Sequence, residues 1–225
     1  MAQGISEILT FAIGVAISPV PIIAVILMLF SSRAKVNGPM FLLGWVVALA
    51  VVSCLAYVIA GAGTPSTSTT GAEGVSWVHI VFGGLFLLLA GRSWANRPEP
   101  GTEPAMPKWM AGIDGFAPAK ALGFGLLLAG VNPKNLLLAV GAGSALALIG
   151  PTTTEAVVSL VVFVVLGSLT IAGPVVYYLL GGDRAKAQLD SVKGWLAVHN
   201  DAVMMVLFLV FGVNLIAKGI PALSR

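Results

Sequence analysis

Charge is scarce in this chain of 225 residues. Only 9% are Asp, Glu, Lys or Arg, against 58% hydrophobic residues, and mean hydropathy is +1.00. Soluble domains carry about 25% charged residues, so the composition implies a membrane protein. One cysteine, Cys54, excludes an internal disulfide, a CxxC redox pair and a cysteine metal cluster. In its apolar run it reads as a small buried apolar residue. Two histidines, His79 and His199, lie far apart near expected helix ends, which suggests interfacial or capping roles over metal ligation. No nucleophile–His–acid constellation stands out and no phosphate-cradling glycine loop is present. The chain is therefore expected to be no enzyme, with no catalytic residue, no cofactor and no metal site.

Lys and Arg are also missing from particular places. None precedes Arg33, so the first apolar run lacks a basic n-region. It is also too long for a signal-peptide core, and it reads as a retained helix. The expected loops 61–76 and 149–154 contain no Lys or Arg. Arg33, Lys35, Arg92, Arg97, Lys108, Lys120, Arg184, Lys186 and Lys193 fill the alternate loops. The positive-inside rule then places both termini outside the cytoplasm, with Lys218 and Arg225 outvoted. The net charge of +3 is thus a topology signal rather than a nucleic-acid surface.

The apolar runs number six, approximately Ile8–Phe30, Pro39–Ala60, Trp77–Trp94, Ala119–Leu148, Glu155–Leu180 and Asp201–Gly219. Most reach the roughly 20 residues that span a bilayer as a helix, and strict two-residue alternation, the mark of a membrane barrel, is absent. A stretch holding Pro98, Pro100, Pro104, Pro107 and Pro118 reads as an extended cytoplasmic linker. It defines a first three-helix repeat over 1–95, a linker over 96–118 and a second repeat over 119–225. An odd number of spans per half inverts the second half relative to the first. The expected fold is an all-α membrane protein of six transmembrane helices, two inverted three-helix repeats with proline-broken first helices. Within the second repeat, Ala185, Leu189, Val192 and Leu196 recur at helical spacing opposite Lys186, Asp190 and Lys193. That is an amphipathic interfacial segment over 183–200, with Trp195 as its anchor.

The two halves share more than a count. Ser18-Pro19-Val20-Pro21 interrupts the first run and Asn132-Pro133-Lys134-Asn135 the fourth, at similar depths. Pro19 and Pro21 cannot donate to the carbonyls of Val15 and Ile17, nor Pro133 to that of Ala129. Ser18, Val20 and Asn132, each before a proline, are pushed towards extended backbone. Each break exposes a half-helix N-terminus at mid-membrane, an anion-attracting end. Lys134 is the one charge between Ala121 and Ile149, and an ammonium at that depth costs roughly 2.5–3.5 kcal/mol unless it faces protein or a water-filled cavity. Ser18, Pro19, Pro21, Asn132, Pro133, Lys134 and Asn135 are accordingly the candidate substrate-binding or gating residues. The bland alternative is a pair of structural kinks, the reading that suits Pro174. Val81-Phe82-Gly83 and Val210-Phe211-Gly212 form a weaker match between the third and sixth runs.

Small residues at four-residue spacing, such as Gly44 and Ala48, or Ala139, Gly143 and Ala147, let helices approach closely. They serve packing within the chain first and a homodimer second.

The chain resembles the peptidoglycolipid- and sulfolipid-addressing proteins (GAP or Sap) of mycobacteria and relatives, within the lysine-exporter (LysE) superfamily. The resemblance rests on Gly14-Val15-Ala16-Ile17-Ser18-Pro19 with Pro21, and on Ala121-Leu122-Gly123-Phe124-Gly125 leading into Val131-Asn132-Pro133-Lys134-Asn135. A third piece is Lys193-Gly194-Trp195-Leu196 with His199-Asn200. It implies a six-helix inner-membrane exporter that moves complex glycolipids towards the cell surface. With no Asp or Glu deep in any run, an anionic lipid-linked molecule suits the residues best. The alternatives are a small-solute exporter, of an amino acid or cation, coupled to proton or ion exchange, and a non-transporting scaffold for lipid synthesis or export. The expected partners are membrane lipids and the substrate, with lipid-synthesis or export proteins as further associates and no nucleic acid.

Overall fold

The computed structural model describes residues 2–62, 70–95 and 112–223, and the described residues are helical throughout apart from short connections. Eight α-helices follow in order: α1 (Ala2–Ala16), α2 (Pro19–Phe30), α3 (Ala34–Ala62), α4 (Thr70–Ala95), α5 (Pro118–Gly130), α6 (Pro133–Leu148), α7 (Thr153–Gly181) and α8 (Asp183–Leu223). One 3₁₀ turn, Ile113–Gly115, precedes α5. Most of the linker expected over 96–118, including all of its prolines but Pro118, lies outside the described residues.

Three helices are long and apolar enough to cross a membrane: α3, α7 and the 184–217 part of α8. Two bent pairs also qualify, α1 with α2 at 54° and α5 with α6 at 64°, which raises the number to as many as five. The apolar part of α4, Ile80–Ala95, is shorter. The result is an all-helical, multi-pass membrane protein. Large apolar side chains stand exposed along α3, α7 and α8, for example Leu55, Ile59, Val161, Leu180 and Val210, as expected where lipid replaces water.

The breaks follow from the prolines. Pro19 and Pro133 each occupy the first position of a helix, where a missing N–H costs nothing and the fixed φ suits the turn. The residues before them are non-helical: Ser18 at φ −125°, ψ 89° and Asn132 at φ −57°, ψ 119°. Val20 departs from expectation, since it is helical. The clash of the proline Cδ with the residue before it disfavours helical backbone without forbidding it, and Pro21 in the first turn of α2 costs no helical hydrogen bond, so Val20 stays helical. Pro174 lies inside an uninterrupted α7. A capping box starts α7, with Thr152 accepting from the Glu155 N–H and Glu155 accepting from the Thr152 N–H.

The chain forms two compact units, residues 1–61 with 105–197, and residues 62–104 with 198–225. In the larger unit α1 packs against α6 and α7, and α2 against α5 and α7. Helix α5 meets α3 at backbone distance. A Cβ on Gly44 would lie 2.1 Å from the Leu122 carbonyl oxygen, and one on Gly125 would lie 2.2 Å from that of Phe41. Asn37, fully buried on α3, donates to the Phe116 carbonyl at 2.9 Å and holds the chain that enters α5.

The first part of α8, within the larger unit, buries Ala185 and Leu189 but leaves Val192 and Trp195 exposed. Lys193 pairs with Asp190 at 2.6 Å and stands 5.3 Å from the centre of the Phe30 ring. The 183–200 segment is continuous with the last apolar run in one helix, so His199 sits mid-helix. The smaller unit brings together the two matched tripeptides. A Cβ on Gly83 would lie 2.9 Å from the Gly212 carbonyl oxygen, and one on Gly212 would lie 3.0 Å from that of Gly83. Phe86 packs beside Phe208 and Phe211. Cys54 differs from expectation: it is exposed on α3, because the buried face there is carried by Ser53 and Ala56.

Candidate functional site

The two proline motifs, more than a hundred residues apart in sequence, meet inside the larger unit. Their contact is built from what each break leaves over. Losing the N–H groups of residues 19 and 21 deprives the Val15 and Ile17 carbonyls of their helical donors. The Ser18 hydroxyl lies 2.7 Å from the Val15 carbonyl oxygen. The Ile17 carbonyl accepts from the Lys134 ammonium at 2.5 Å. Lys134 therefore replaces, from the other half of the chain, a donor that Pro21 removes.

Ser18 links the two sides. Its oxygen accepts a second bond from the Lys134 ammonium at 2.7 Å. Its single proton is shared in reach between the Val15 carbonyl and the Asn135 side-chain oxygen, 3.0 Å away. Asn135 in turn donates to the Leu128 carbonyl at 2.9 Å, near the end of α5. Ser18 stands at the N-cap position of α2 without capping it, because its hydroxyl is committed to this network. Ser18 is 2% exposed, Lys134 5% and Asn135 0%. Asn132 stays local: its side-chain oxygen accepts from the Lys134 N–H at 3.1 Å and caps α6. Pro19 and Pro21 are buried, and Pro133 starts α6.

The electrostatics are those of a charge between opposed helix ends. The carbonyl end of α1 carries partial negative charge and the amide end of α6 partial positive charge. Lys134 rises from the first turn of α6, where its charge is unfavourable, and delivers it to the end of α1, where it is favourable. A buried ammonium with two good acceptors is far less costly than an isolated one.

Two contributors escape a reading of the motifs. Thr170 on α7 donates to the Ala16 carbonyl at 2.6 Å, so a third helix also serves the frayed end of α1. Trp45, fully buried on α3, donates to the Gly167 carbonyl at 3.3 Å, and nothing in its sequence setting pointed there. Among the described residues no group of three or more His, Cys, Asp or Glu is placed to hold a metal ion.

Fold and site together define an all-helical membrane protein whose two broken helices are joined at their breaks through a buried lysine. A family profile described as "Sap, sulfolipid-1-addressing protein" matches residues 8–221, and the chain belongs to that family. No curated protein and no solved structure matches it.

Proposed function

We propose that this protein is a transporter, not an enzyme, that moves a glycolipid or other anionic lipid-linked molecule across the inner membrane towards the cell surface. The observation that carries the reading is the buried bond from Lys134 to the Ile17 carbonyl and Ser18. Export needs a site that is closed at rest and yields to its substrate. Lys134 is held by a carbonyl and a hydroxyl, neutral acceptors that an anionic group can displace with a stronger charge-assisted bond. Displacement would release the end of α1 from α6 and so uncouple the two halves where they join. Membership in a family described as lipid-addressing and the resemblance of Asn132-Pro133-Lys134 to the lysine-exporter superfamily point the same way.

The architecture under this reading is six spans in two inverted three-helix repeats, with α1–α2 and α5–α6 each counted as one broken span and α4 and α8 completing the halves. Its support is the exchange of partners between halves. The first piece of each broken pair packs against the second piece of the other pair, and against the long helix of the other half. The reciprocal approach of Gly83 and Gly212 repeats that relation between the third members. Basic residues in alternate loops support termini outside the cytoplasm.

A cation exporter would need oxygen ligands at the breaks. The Val15, Ile17 and Ala129 carbonyls were the candidates, and Ser18 and Lys134 occupy the first two. A scaffold role would use the lysine only to join the two breaks. The test is a lipid inventory of the cell surface in a deletion strain, with and without the restored gene. Loss of a surface glycolipid with its intracellular pool retained is the expected result. An unchanged surface, or loss of both pools, would sink the export reading.

A further inference from the structure

We infer that the outer face of α5 is a binding groove for one acyl chain of an anionic lipid, with Lys120 holding the headgroup. The groove is lined by Phe116, Lys120, Gly123, Phe124, Leu126, Leu127 and Val131. Gly123, Phe124, Leu127 and Val131 lie three, four, seven and eleven residues beyond Lys120 and share one helical face with it, with Leu126 at its edge. Apart from the Lys120 ammonium the lining is apolar.

Gly123 is the telling position. A mid-helix glycine costs about 1 kcal/mol against alanine, and such a residue usually marks close helix packing. Two residues on, Gly125 has that reason, with the Phe41 carbonyl against it. Gly123 has none, since a Cβ there would meet nothing within 4 Å. Its missing side chain opens a notch in the floor of the groove. Phe116 and Phe124 pack edge to face beside it, with ring centres 5.7 Å apart, and form a rigid wall. Beyond the notch Leu127 and Val131 are 53% and 63% exposed.

Charge and length select the occupant. Lys120 is exposed in the first turn of α5, with no ion-pair partner among the described residues. From Lys120 to Val131 eleven helical rises cover about 16 Å, close to the half-thickness of about 15 Å of a hydrocarbon core. The groove thus reaches from headgroup level to the bilayer midplane and ends beside Asn132. That is the depth of one acyl chain in one leaflet, capped by a cation. The inference requires a membrane lipid and does not require that this lipid be the exported cargo.

Photocrosslinking tests it. The full-length protein is reconstituted in mixed phosphatidylcholine and phosphatidylglycerol vesicles, with a trace of either lipid carrying a mid-chain diazirine. Labelled peptides are then mapped by mass spectrometry. The phosphatidylglycerol probe should label residues 116–131 in preference to the phosphatidylcholine probe. Lys120→Gln should cut that preference about fivefold, the effect of one lysine near an anionic surface. Gly123→Leu should remove most labelling of α5, while Gly84→Leu, at another glycine with open space, should leave it unchanged. Equal labelling of α5 by both probes in the wild type would overturn the assignment. So would full labelling in a folded Gly123→Leu protein. If that variant does not fold, the headgroup preference and its response to Lys120→Gln decide alone.

Discussion

The Lys134 ammonium and the Ile17 carbonyl, 2.5 Å apart and separated by 117 residues of chain, complete each other. Pro21 withdraws the donor that Ile17 would have in an unbroken helix, and Lys134 needs an acceptor at a depth where lipid offers none. Each offsets the cost of the other, and together they join the two halves.

Lys134→Ala therefore has two separable consequences. Insertion should be unharmed, because a charge that costs roughly 2.5–3.5 kcal/mol to insert is gone. Packing should weaken by about 1–3 kcal/mol, since the buried Ile17 carbonyl loses its partner. Thermal unfolding in detergent should show the loss and cysteine accessibility an unchanged topology, with export abolished. Lys134→Arg restores the charge but not the compact shape, so export should recover only in part. Normal export by a correctly folded Lys134→Ala protein would reduce the lysine to a structural strut.

The close backbone contacts give a second, sharper contrast. Gly143→Ala should destabilise strongly, because its Cβ would stand 2.2 Å from the Ser53 carbonyl oxygen, with backbone on both sides unable to yield. Gly44→Ala and Gly125→Ala should behave alike for the same reason. Gly84→Ala fills open space within α4 and should be neutral or gain up to about 1 kcal/mol from helix propensity. Comparable melting temperatures for Gly143→Ala and Gly84→Ala would show that the helices are not in backbone contact there.

Much of this was legible because proline chemistry is local. The breaks at Ser18 and Asn132, and the three carbonyls left without helical donors, follow from Pro19, Pro21 and Pro133 alone. Which donor reaches which carbonyl is a tertiary fact, and no spacing in the sequence joins Lys134 to Ile17 or Thr170 to Ala16. Asn132 and Asn135 looked equivalent on either side of Pro133-Lys134. The first caps its own helix, while the second reaches Ser18. Val20 was misjudged because the steric rule for residues before proline is a preference, and a proline in the first turn breaks no helical hydrogen bond that would end the helix there. The small-residue spacing read for Gly44 and Gly143 was a better guide, since steric need acts on composition directly. Cys54 was misplaced because in an apolar run lipid-facing and core-facing positions carry the same residue types.

The proposed inverted arrangement makes a topological prediction that does not depend on the substrate. Single cysteines at Thr67 and Thr102, in a Cys54→Ala background, should respond oppositely to an impermeant thiol reagent on intact cells. Thr67 should react and Thr102 should not, since their loops lie on the basic-poor and basic-rich sides respectively. The reverse pattern would invert the protein and make the groove on α5 open to the other leaflet.

Substrate class is the last point to separate, and purified protein in liposomes can do so without partner enzymes. An anion entering the join meets Lys134 and the amide ends of α2 and α6, all favourable to negative charge. A cation meets the same groups with the opposite sign, and two of the three carbonyls that could bind it, those of Val15 and Ile17, are engaged by Ser18 and Lys134. With a driving gradient imposed, an anionic glycolipid in the inner leaflet should gain access to an external quencher, while entrapped lysine and divalent metal stay inside. Lys134→Ala liposomes should match protein-free ones for the lipid. Efflux of lysine or metal with no lipid movement would transfer the function to a small-solute exporter, and Ser18 and Lys134 would then have to release the two carbonyls during the cycle. Movement of neither class under any gradient would leave a scaffold, and the lysine would owe its place to the join alone.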